Sequence, residues 1–320
     1  METKQTGRGL WWRVILCGAA WLAVVAPQPA QAGTIGGAPT PRWQSVGQGL
    51  VPGQVQAVGA QNTIYGLGMS TSRVLYAAGA FTNVGGSNCY RIARYDGTNW
   101  TSMGGGISQF ANANCVAPSS NGIVYAGGYF TNIGGVNSRA VAKWNGTAWE
   151  AMGDGAEGER GLFFAKFVNG YVNSLCVSSN GAVYAGGYFT NTNYRYRLPY
   201  AAKWTGTTWT NMAMGFSNVV NVVVEGKDGS IYAGGSFTNG NSPATPMYYI
   251  AKWTGTAWTN MGLGFGNRLT CMTVAPDGTL YAGGWFTNAA SIPSGVVSPA
   301  RFVAKWDSAR QVWTNVGSGF

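Results

Sequence analysis

One pattern recurs five times along this chain of 320 residues and constrains its fold more than any other feature. Each copy joins Tyr-Ala-Gly-Gly (Tyr-Ala-Ala-Gly in the first) to Phe-Thr-Asn, and the repeated tyrosine lies at Tyr76, Tyr125, Tyr184, Tyr232 and Tyr281. The spacings are 49, 59, 48 and 49 residues. A second block follows each copy, as in VAKWNGTAW, and a third closes the unit, as in WEAMGDG. Repetition on this scale predicts an architecture in which each unit buries its apolar faces against its neighbours.

Each unit contains four short apolar stretches separated by turn signals, which predict four antiparallel strands, a to d. In the second unit the predicted strands are 114–118, 123–129, 140–144 and 149–153. Asn-Gly or Asp-Gly pairs lie between strands a and b, and pairs that end in Gly, such as Asn145-Gly146, lie between strands c and d. The glycines tolerate the positive φ that tight turns need. Four strands in about 49 residues is the size of a propeller blade. The predicted fold is therefore all-β, a β-propeller of four-stranded antiparallel blades with five repeats of about 49 residues.

The N-terminus has the three parts of a secretory signal. Lys4, Arg8 and Arg13 carry positive charge, an apolar run follows, and Ala30-Gln31-Ala32 is a small-residue cleavage site. Residues 1–32 are therefore predicted to be a signal peptide, and no later segment has about 18 consecutive apolar residues. We expect an exported protein that is secreted, periplasmic or on the cell surface, with no transmembrane segment in the mature chain.

The rest of the chain, 33–320, is predicted to form one propeller domain. Its repeats are predicted at about 57–106, 107–155, 156–215, 216–264 and 265–320. A sixth copy of the strand d motif, WQSVGQG at 43–49, is left over as an extra N-terminal strand. It could cover a sheet edge that would otherwise be open, or the chain could belong to a larger ring or array.

The repeat resembles kelch-type propeller repeats. Strand b ends in Gly-Gly, and an aromatic residue, an Asp and a later Trp follow, as in Trp306-Asp307 through Trp313. The fuller signature, YAGGxFTN followed by AKWxGTxWxxMGxG, is similar to repeats of bacterial exported propellers and of fungal cortical cell-polarity marker proteins. The resemblance covers nearly all of 43–320 and implies the propeller fold. It implies no particular activity, because propellers host many unrelated functions.

The absence of histidine from the sequence excludes several kinds of active site. Ser-His-Asp and Cys-His nucleophiles, His-ligated zinc and the copper site of galactose oxidase, a kelch-type enzyme, all need imidazole. The Gly-Gly pairs lack the helix and the Gly-Lys-Ser/Thr of a phosphate loop. The sequence therefore predicts no catalytic residue, metal or cofactor, and no enzyme. The alternative is a secreted lyase or hydrolase, for which Asp154, Glu157 and Glu159 form the one acidic cluster.

Alternating strand directions place the b-c and d-a loops on one face of the propeller and the a-b and c-d turns on the other. The b-c and d-a loops vary most in length, and variable loops on a rigid scaffold commonly carry binding residues. The candidate ligand-binding residues on this b-c/d-a face are aromatic or basic: Trp285, Tyr129, Tyr188, Arg139, Arg160, Arg195, Arg197 and Arg301. Trp285 could be a platform for a sugar ring, and the alternative is ordinary packing.

These features predict an exported, non-catalytic binding or scaffold propeller that recognises a polysaccharide or an envelope protein. Removing the leader takes the 20 basic and 10 acidic residues to 17 and 9, a net charge of +8, which favours an acidic partner. Nucleic acid is not predicted as a partner, because the charge is thinly spread and export removes the usual target. A purely structural role in a larger surface assembly is a third possibility.

Three other repeat features carry structural expectations. Ten of the eleven tryptophans after the leader fall at strand c or strand d positions, which predicts packing between blades. One basic residue per unit, next to the strand c aromatic, is expected to lay its stem over apolar surface, with a ring of anion-binding cations as the alternative. Export permits disulfides, and Cys89 with Cys115 is the first pair to test, since both are expected near one rim of neighbouring blades. Free buried thiols are the alternative.

Overall fold

The computed structural model describes residues 63–108, 111–153, 170–189, 200–240, 246–290, 297–298 and 300–317. Every regular element in this part of the chain is a β-strand, and the strands form five four-stranded antiparallel sheets. The all-β blade architecture predicted from the repeats is therefore confirmed. The predicted leader and the strand d copy at 43–49 lie outside the described residues.

Each sheet is a blade in which strands a, b, c and d lie side by side in chain order. Blade 1 contains β1 (Ile64–Met69), β2 (Leu75–Gly79), β5 (Ile92–Tyr95) and β6 (Trp100–Ser102). Blade 2 contains β7 (Asn112–Pro118), β8 (Val124–Tyr129), β11 (Val141–Trp144) and β12 (Trp149–Ala151). Blade 3 contains β13 (Tyr171–Val177), β14 (Val183–Tyr188), β15 (Ala201–Trp204) and β16 (Trp209–Asn211).

The last two blades repeat the arrangement. Blade 4 contains β17 (Val220–Glu225), β18 (Ile231–Gly235), β19 (Ile250–Trp253) and β20 (Trp258–Asn260). Blade 5 contains β21 (Leu269–Val274), β22 (Leu280–Gly284), β25 (Val303–Asp307) and β26 (Val312–Asn315). Two-residue ribbons occur in the b-c loops of blades 1, 2 and 5: β3 (Asn83–Val84) with β4 (Ser87–Asn88), β9 (Asn132–Ile133) with β10 (Val136–Asn137), and β23 (Ala289–Ala290) with β24 (Val297–Ser298).

The hairpin turns have the backbone geometry that their residues predict. Gly122 in an a-b turn has φ 87°, and Gly146 in a c-d turn has φ 107°. The side chain before the second glycine closes its turn, because Asn145 Oδ1 accepts hydrogen bonds at 2.9 Å from the backbone N–H groups of Thr147 and Ala148. These turns set the a-b and c-d registers and so decide which residues share a face.

Strand a of every blade carries a β-bulge at one repeat position. In blades 2, 3 and 4 the extra residue is an asparagine whose amide donates to the inner strand of the next blade. The three bonds are Asn114 Nδ2 to Val172 O at 3.0 Å, Asn173 Nδ2 to Val220 O at 3.3 Å, and Asn221 Nδ2 to Leu269 O at 2.7 Å. A bond of this kind contributes about 0.5–1.5 kcal/mol. The bulge therefore links neighbouring blades near the propeller axis.

The apolar core lies between consecutive blades, as the tryptophan positions predict. All five strand d indoles are buried, and those of blades 2 to 5 donate from Nε1 to a main-chain oxygen of the preceding blade. The bonds run from Trp149 to Met103 at 2.8 Å, Trp209 to Met152 at 3.1 Å, Trp258 to Met212 at 3.1 Å, and Trp313 to Met261 at 3.2 Å. The strand c and strand d tryptophans of one blade also pack together, with ring centroids 5.1–5.4 Å apart. Packing between blades is thus the role of both positions.

Burial of the strand b tyrosine differs between blade 5 and the other four blades. Tyr76, Tyr125, Tyr184 and Tyr232 are buried against the next blade, and this burial raises the pKa of each phenol. Tyr281 of blade 5 is only half-buried, and Val316, which replaces the buried methionine of other blades, is 37 % exposed. The outer face of blade 5 is therefore less covered than the equivalent faces of blades 1 to 4.

Three of the five basic residues of strand c make individual contacts with neighbouring side chains. Lys143 pairs with Glu150 at 3.0 Å, and Lys252 pairs with Asp228 at 3.1 Å. Lys203 Nζ lies 5.7 Å from the centre of the Tyr184 ring. These contacts agree with cations that lie over neighbouring apolar surface.

The disulfide predicted between Cys89 and Cys115 is not formed, because both residues are free cysteines in the structure. The reason is that they face different cores. Cys89 is buried in blade 1 with Phe81 and Trp100, whereas Cys115 packs against the core between blades 2 and 3. Burial raises the pKa of Cys89 to about 11 and that of Cys115 to about 12.

We predict that both thiols resist alkylation in the folded protein at pH 8. An unfolded thiol has a pKa of about 8.5 and is partly thiolate at this pH, whereas the raised pKa values keep the folded thiols protonated. The protonated thiols stabilise the fold below about pH 8.5, and this contribution is lost as the pH rises towards 11–12. Peptide mapping after brief iodoacetamide treatment should find Cys89 and Cys115 modified at least about 100-fold more slowly than in urea. Equal rates in both conditions would contradict the burial.

Candidate functional site

The face that carries the b-c and d-a loops, here called the loop face, presents one row of residue pairs. Strand a begins and strand b ends at this row, so each blade contributes two neighbouring residues. The pairs are Thr63 with Ala80, Asn112 with Tyr129, Tyr171 with Tyr188, Val219 with Ser236, and Arg268 with Trp285. The opposite face, here called the turn face, carries the a-b and c-d turns.

All exposed aromatic side chains of the described residues lie on the loop face. Trp285 is the most exposed of them, at 60 %, and Tyr129 and Tyr188 are 42 % and 43 % exposed. The other four belong to strand a of blade 1 or to the approach to strand c: Tyr65, Tyr90, Tyr248 and Phe302. Large aromatic side chains are usually buried, so rings gathered on one surface indicate a binding site.

A shallow cavity of about 390 Å³ lies where blades 2 and 3 meet on this face. The described residues that line it are Asn112, Asn114, Tyr129 and Tyr171, which supply two phenol rings and two amides and carry no charge. Tyr171 stacks on Tyr188 with the ring centroids 5.6 Å apart, which extends the aromatic surface across blade 3. The amide nitrogen of Asn114 donates to Val172 O at 3.0 Å, which holds this side chain in place at the cavity wall.

Blade 5 replaces the phenols of this row with an indole and a guanidinium. The Arg268 guanidinium carbon lies 4.8 Å from the centre of the Trp285 ring, and the backbone N–H of Trp285 donates to the backbone oxygen of Arg268 at 3.0 Å. Both side chains are exposed, and Arg268 forms no ion pair with any residue that the structure describes. A cation–π contact at an exposed site contributes only about 0.5–1 kcal/mol. Arg268 can therefore leave the ring at small cost to bind an anion.

Arg91 is also on this side of the propeller but is committed to structure. Its side chain is buried, its backbone is left-handed at φ 70°, and burial lowers its pKa. The guanidinium donates from Nε to Ala111 O at 2.8 Å and from Nη1 to Phe81 O at 3.0 Å. It therefore joins the b-c loop of blade 1 to the start of blade 2.

The carboxylates in the described part of the chain are confined to one face of the propeller. The loop face holds four arginines, Arg91, Arg139, Arg268 and Arg301, and no carboxylate. The described carboxylates all lie in or beside the turns of the opposite face: Asp96, Glu150, Glu225, Asp228, Asp277 and Asp307. Among the described residues, the loop face therefore carries only positive formal charge.

The turn-face carboxylates have structural partners. Asp96 Oδ1 accepts bonds from the N–H groups of Asn99 at 2.8 Å and Thr98 at 2.9 Å, and these bonds lower its pKa to about 2. Glu225 accepts from Ser179 N at 2.8 Å and so links blades 3 and 4. No group of three or more His, Cys, Asp or Glu residues that could hold a metal occurs in the described ranges.

The structure places the predicted site residues as follows. Tyr129, Tyr188 and Trp285 share one row and are exposed, Arg301 is exposed, and Arg139 is half-buried. Arg160, Arg195 and Arg197, and the acidic cluster Asp154, Glu157 and Glu159, lie outside the described residues. Sequence reasoning missed Arg268, Asn112 and Tyr171, because their place beside the strand b residues depends on the bulged register. Counting back from the bulge position in each repeat could have found them.

Comparisons with known proteins agree with the blade architecture. Residues 74–101 match a family described as a domain of unknown function (DUF5122) beta-propeller. No curated protein matches the sequence. No helix in the described ranges has the length and apolarity needed to cross a membrane.

Solved structures similar to this chain include three of different kinds. A chain of a mitotic checkpoint complex has a TM-score of 0.47 at 11 % identity, with 82 % of this chain and 73 % of that chain covered. A gluconolactonase from Xanthomonas campestris has a TM-score of 0.45 at 14 % identity, with 80 % of this chain and 76 % of that chain covered. The WD40 beta-propeller domain of Doa1 has a TM-score of 0.45 at 10 % identity, with 80 % of this chain and 70 % of that chain covered. From its four-stranded blades and the family match, the chain is a β-propeller repeat protein.

Proposed function

We propose that this protein is an exported, non-catalytic binding module that recognises a polysaccharide through its loop face. The observation that carries the proposal is the confinement of all described exposed aromatic rings to that face. The predicted signal peptide supports export. The kelch-like pattern of five repeats of about 49 residues supports a rigid scaffold that presents variable binding loops.

The chemistry of the row suits sugars. A pyranose ring has apolar C–H faces, which pack on aromatic rings, and hydroxyls at its edge, which bond to amides. The cavity of blades 2 and 3 offers both kinds of group, with Tyr129 and Tyr171 beside Asn112 and Asn114. Rings in blades 2, 3 and 5 would let one long chain make several weak contacts at once, and such contacts add up to useful affinity.

A binding role without catalysis is supported by the distribution of carboxylates. The described carboxylates lie on the turn face, away from the aromatic row, and several already cap turns or bridge blades. A lyase or hydrolase would have to draw on Asp154, Glu157 and Glu159 in the d-a loop of unit three. Formation of shortened glycan by the purified protein, abolished by Glu157→Gln or Glu159→Gln, would replace our proposal with an enzymatic function.

We expect purified protein to bind one or more envelope or plant-type polysaccharides in affinity electrophoresis. Tyr188→Ala should lower the affinity about tenfold, since it removes a half-exposed ring stacked on Tyr171. Tyr188→Phe should bind nearly as well, because it keeps the ring and loses only the hydroxyl. Lys227→Ala, an exposed change on the turn face, should have no effect. Circular dichroism of each variant establishes that the fold is retained.

Two outcomes would contradict the proposal. Binding lost equally in Lys227→Ala and Tyr188→Ala would mean that the loop face is not the site. Absence of binding to every glycan, together with capture of a specific envelope protein that depends on Tyr188, would assign the same face to protein recognition.

A further inference from the structure

The Arg268 and Trp285 pair is chemically unlike the rest of the row. In blades 2 and 3 the row is neutral, with Asn112 beside Tyr129 and Tyr171 beside Tyr188. In blade 5 a guanidinium lies 4.8 Å from an indole ring that is 60 % exposed. A site that places a cation next to an exposed aromatic ring can distinguish anionic sugar rings from neutral ones.

We infer that Arg268 and Trp285 form a subsite for a carboxylate-bearing sugar, so that the polysaccharide recognised by the loop face is a polyuronate or a similar anionic glycan. The inference rests on the proposed function and names its ligand class. A uronate ring presents an apolar face to Trp285 and a carboxylate at its edge. The planar fork of Arg268 matches that carboxylate with two parallel N–H···O bonds.

Three observations support an anionic ligand at this point. The guanidinium of Arg268 has no carboxylate partner among the described residues, so its charge is available. The described part of the loop face carries no carboxylate that would repel the ligand. The position equivalent to Arg139 in blade 5 is Arg301, an exposed cation three residues before the Ala304 of strand c, on the same blade as Trp285. The charges of Arg268 and Arg301 together attract polyanions, and salt screens this attraction.

The test compares a short oligogalacturonate with the same oligosaccharide methyl-esterified, in which a methyl group on each carboxyl removes its charge. Titration calorimetry should show the acid form binding at least about tenfold more tightly at low salt, and the difference should shrink towards about 0.5 M NaCl. Arg268→Gln should lower the affinity for the acid form about tenfold and leave the ester unchanged. Arg268→Lys should be intermediate, since it keeps the charge and loses the fork. Trp285→Ala should weaken both forms.

Arg310→Gln is the matched control, because Arg310 is an exposed arginine on the turn face. It should bind both forms like the parent protein. Equal binding of acid and ester, unaffected by Arg268→Gln, would overturn the inference and leave glycan binding by the loop face intact. Equal losses in Arg268→Gln and Arg310→Gln would also overturn it, since they would show attraction by net charge alone. If neither form binds and the wider glycan screen is empty, the proposed function itself fails.

Discussion

Replacing Trp258 with alanine is expected to lower the free energy of unfolding by about 4 kcal/mol. The side chain is 7 % exposed and packs with Phe216, the ring centroids being 4.7 Å apart. Its Nε1 also donates to Met212 O of blade 3 at 3.1 Å. The substitution therefore opens a cavity and leaves a buried carbonyl without its donor. Urea unfolding followed by circular dichroism measures the effect.

Two further variants separate packing from hydrogen bonding. Trp258→Phe keeps most of the ring but removes the donor, and we expect a loss of about 1–3 kcal/mol from the unsatisfied Met212 carbonyl. Trp253→Ala, the half-buried strand c partner in the same blade, should cost less than Trp258→Ala. If Trp258→Phe is as stable as the parent protein, the bond between the blades contributes nothing. If Trp253→Ala is the more harmful change, burial between the blades is not what makes Trp258 important.

The blade architecture could be predicted because each repeat carries its own set of strand and turn signals. Turn glycines, the Tyr of strand b and the Trp of strand d recur at fixed spacings, and each has a local physical role that one unit already specifies. The structure shifts the ends of predicted strands, as where strand a of blade 2 begins at Asn112, two residues before the predicted start. The prediction of buried tryptophans likewise followed from repeat position.

The candidate site could be predicted only in part, because its key pairs depend on register. Trp285, Tyr129 and Tyr188 were identifiable as the variable position after Gly-Gly. Arg268 was not, since it lies 17 residues before Trp285 in sequence and becomes its neighbour through the bulged a-b pairing. The separation of Cys89 from Cys115 was also missed, because neighbouring blades have two distinct cores and nearness to one rim does not bring two thiols into one core.

Gly235→Ala is expected to lower the free energy of unfolding by about 3 kcal/mol through steric conflict. Gly235 ends strand b of blade 4 opposite the bulge in strand a. A Cβ at this position would overlap the backbone oxygen of Val219 and lie 2.9 Å from the Val220 Cα. Both obstacles are backbone, so no side chain can move to make room. Because the bulge holds Asn221 against blade 5, the displacement should also weaken the bond from Asn221 Nδ2 to Leu269 O.

Gly229→Ala in the a-b turn of the same blade is the matched control. Gly229 has φ 77°, so alanine there adopts a left-handed backbone, but its Cβ would have no heavy atom within 4 Å. We expect a loss of only about 1 kcal/mol from this conformational cost. Denaturant unfolding of the two variants side by side therefore distinguishes close approach of strands from backbone strain. If Gly229→Ala proves as destabilising as Gly235→Ala, the tight packing of strand a on strand b does not account for the loss of stability at Gly235.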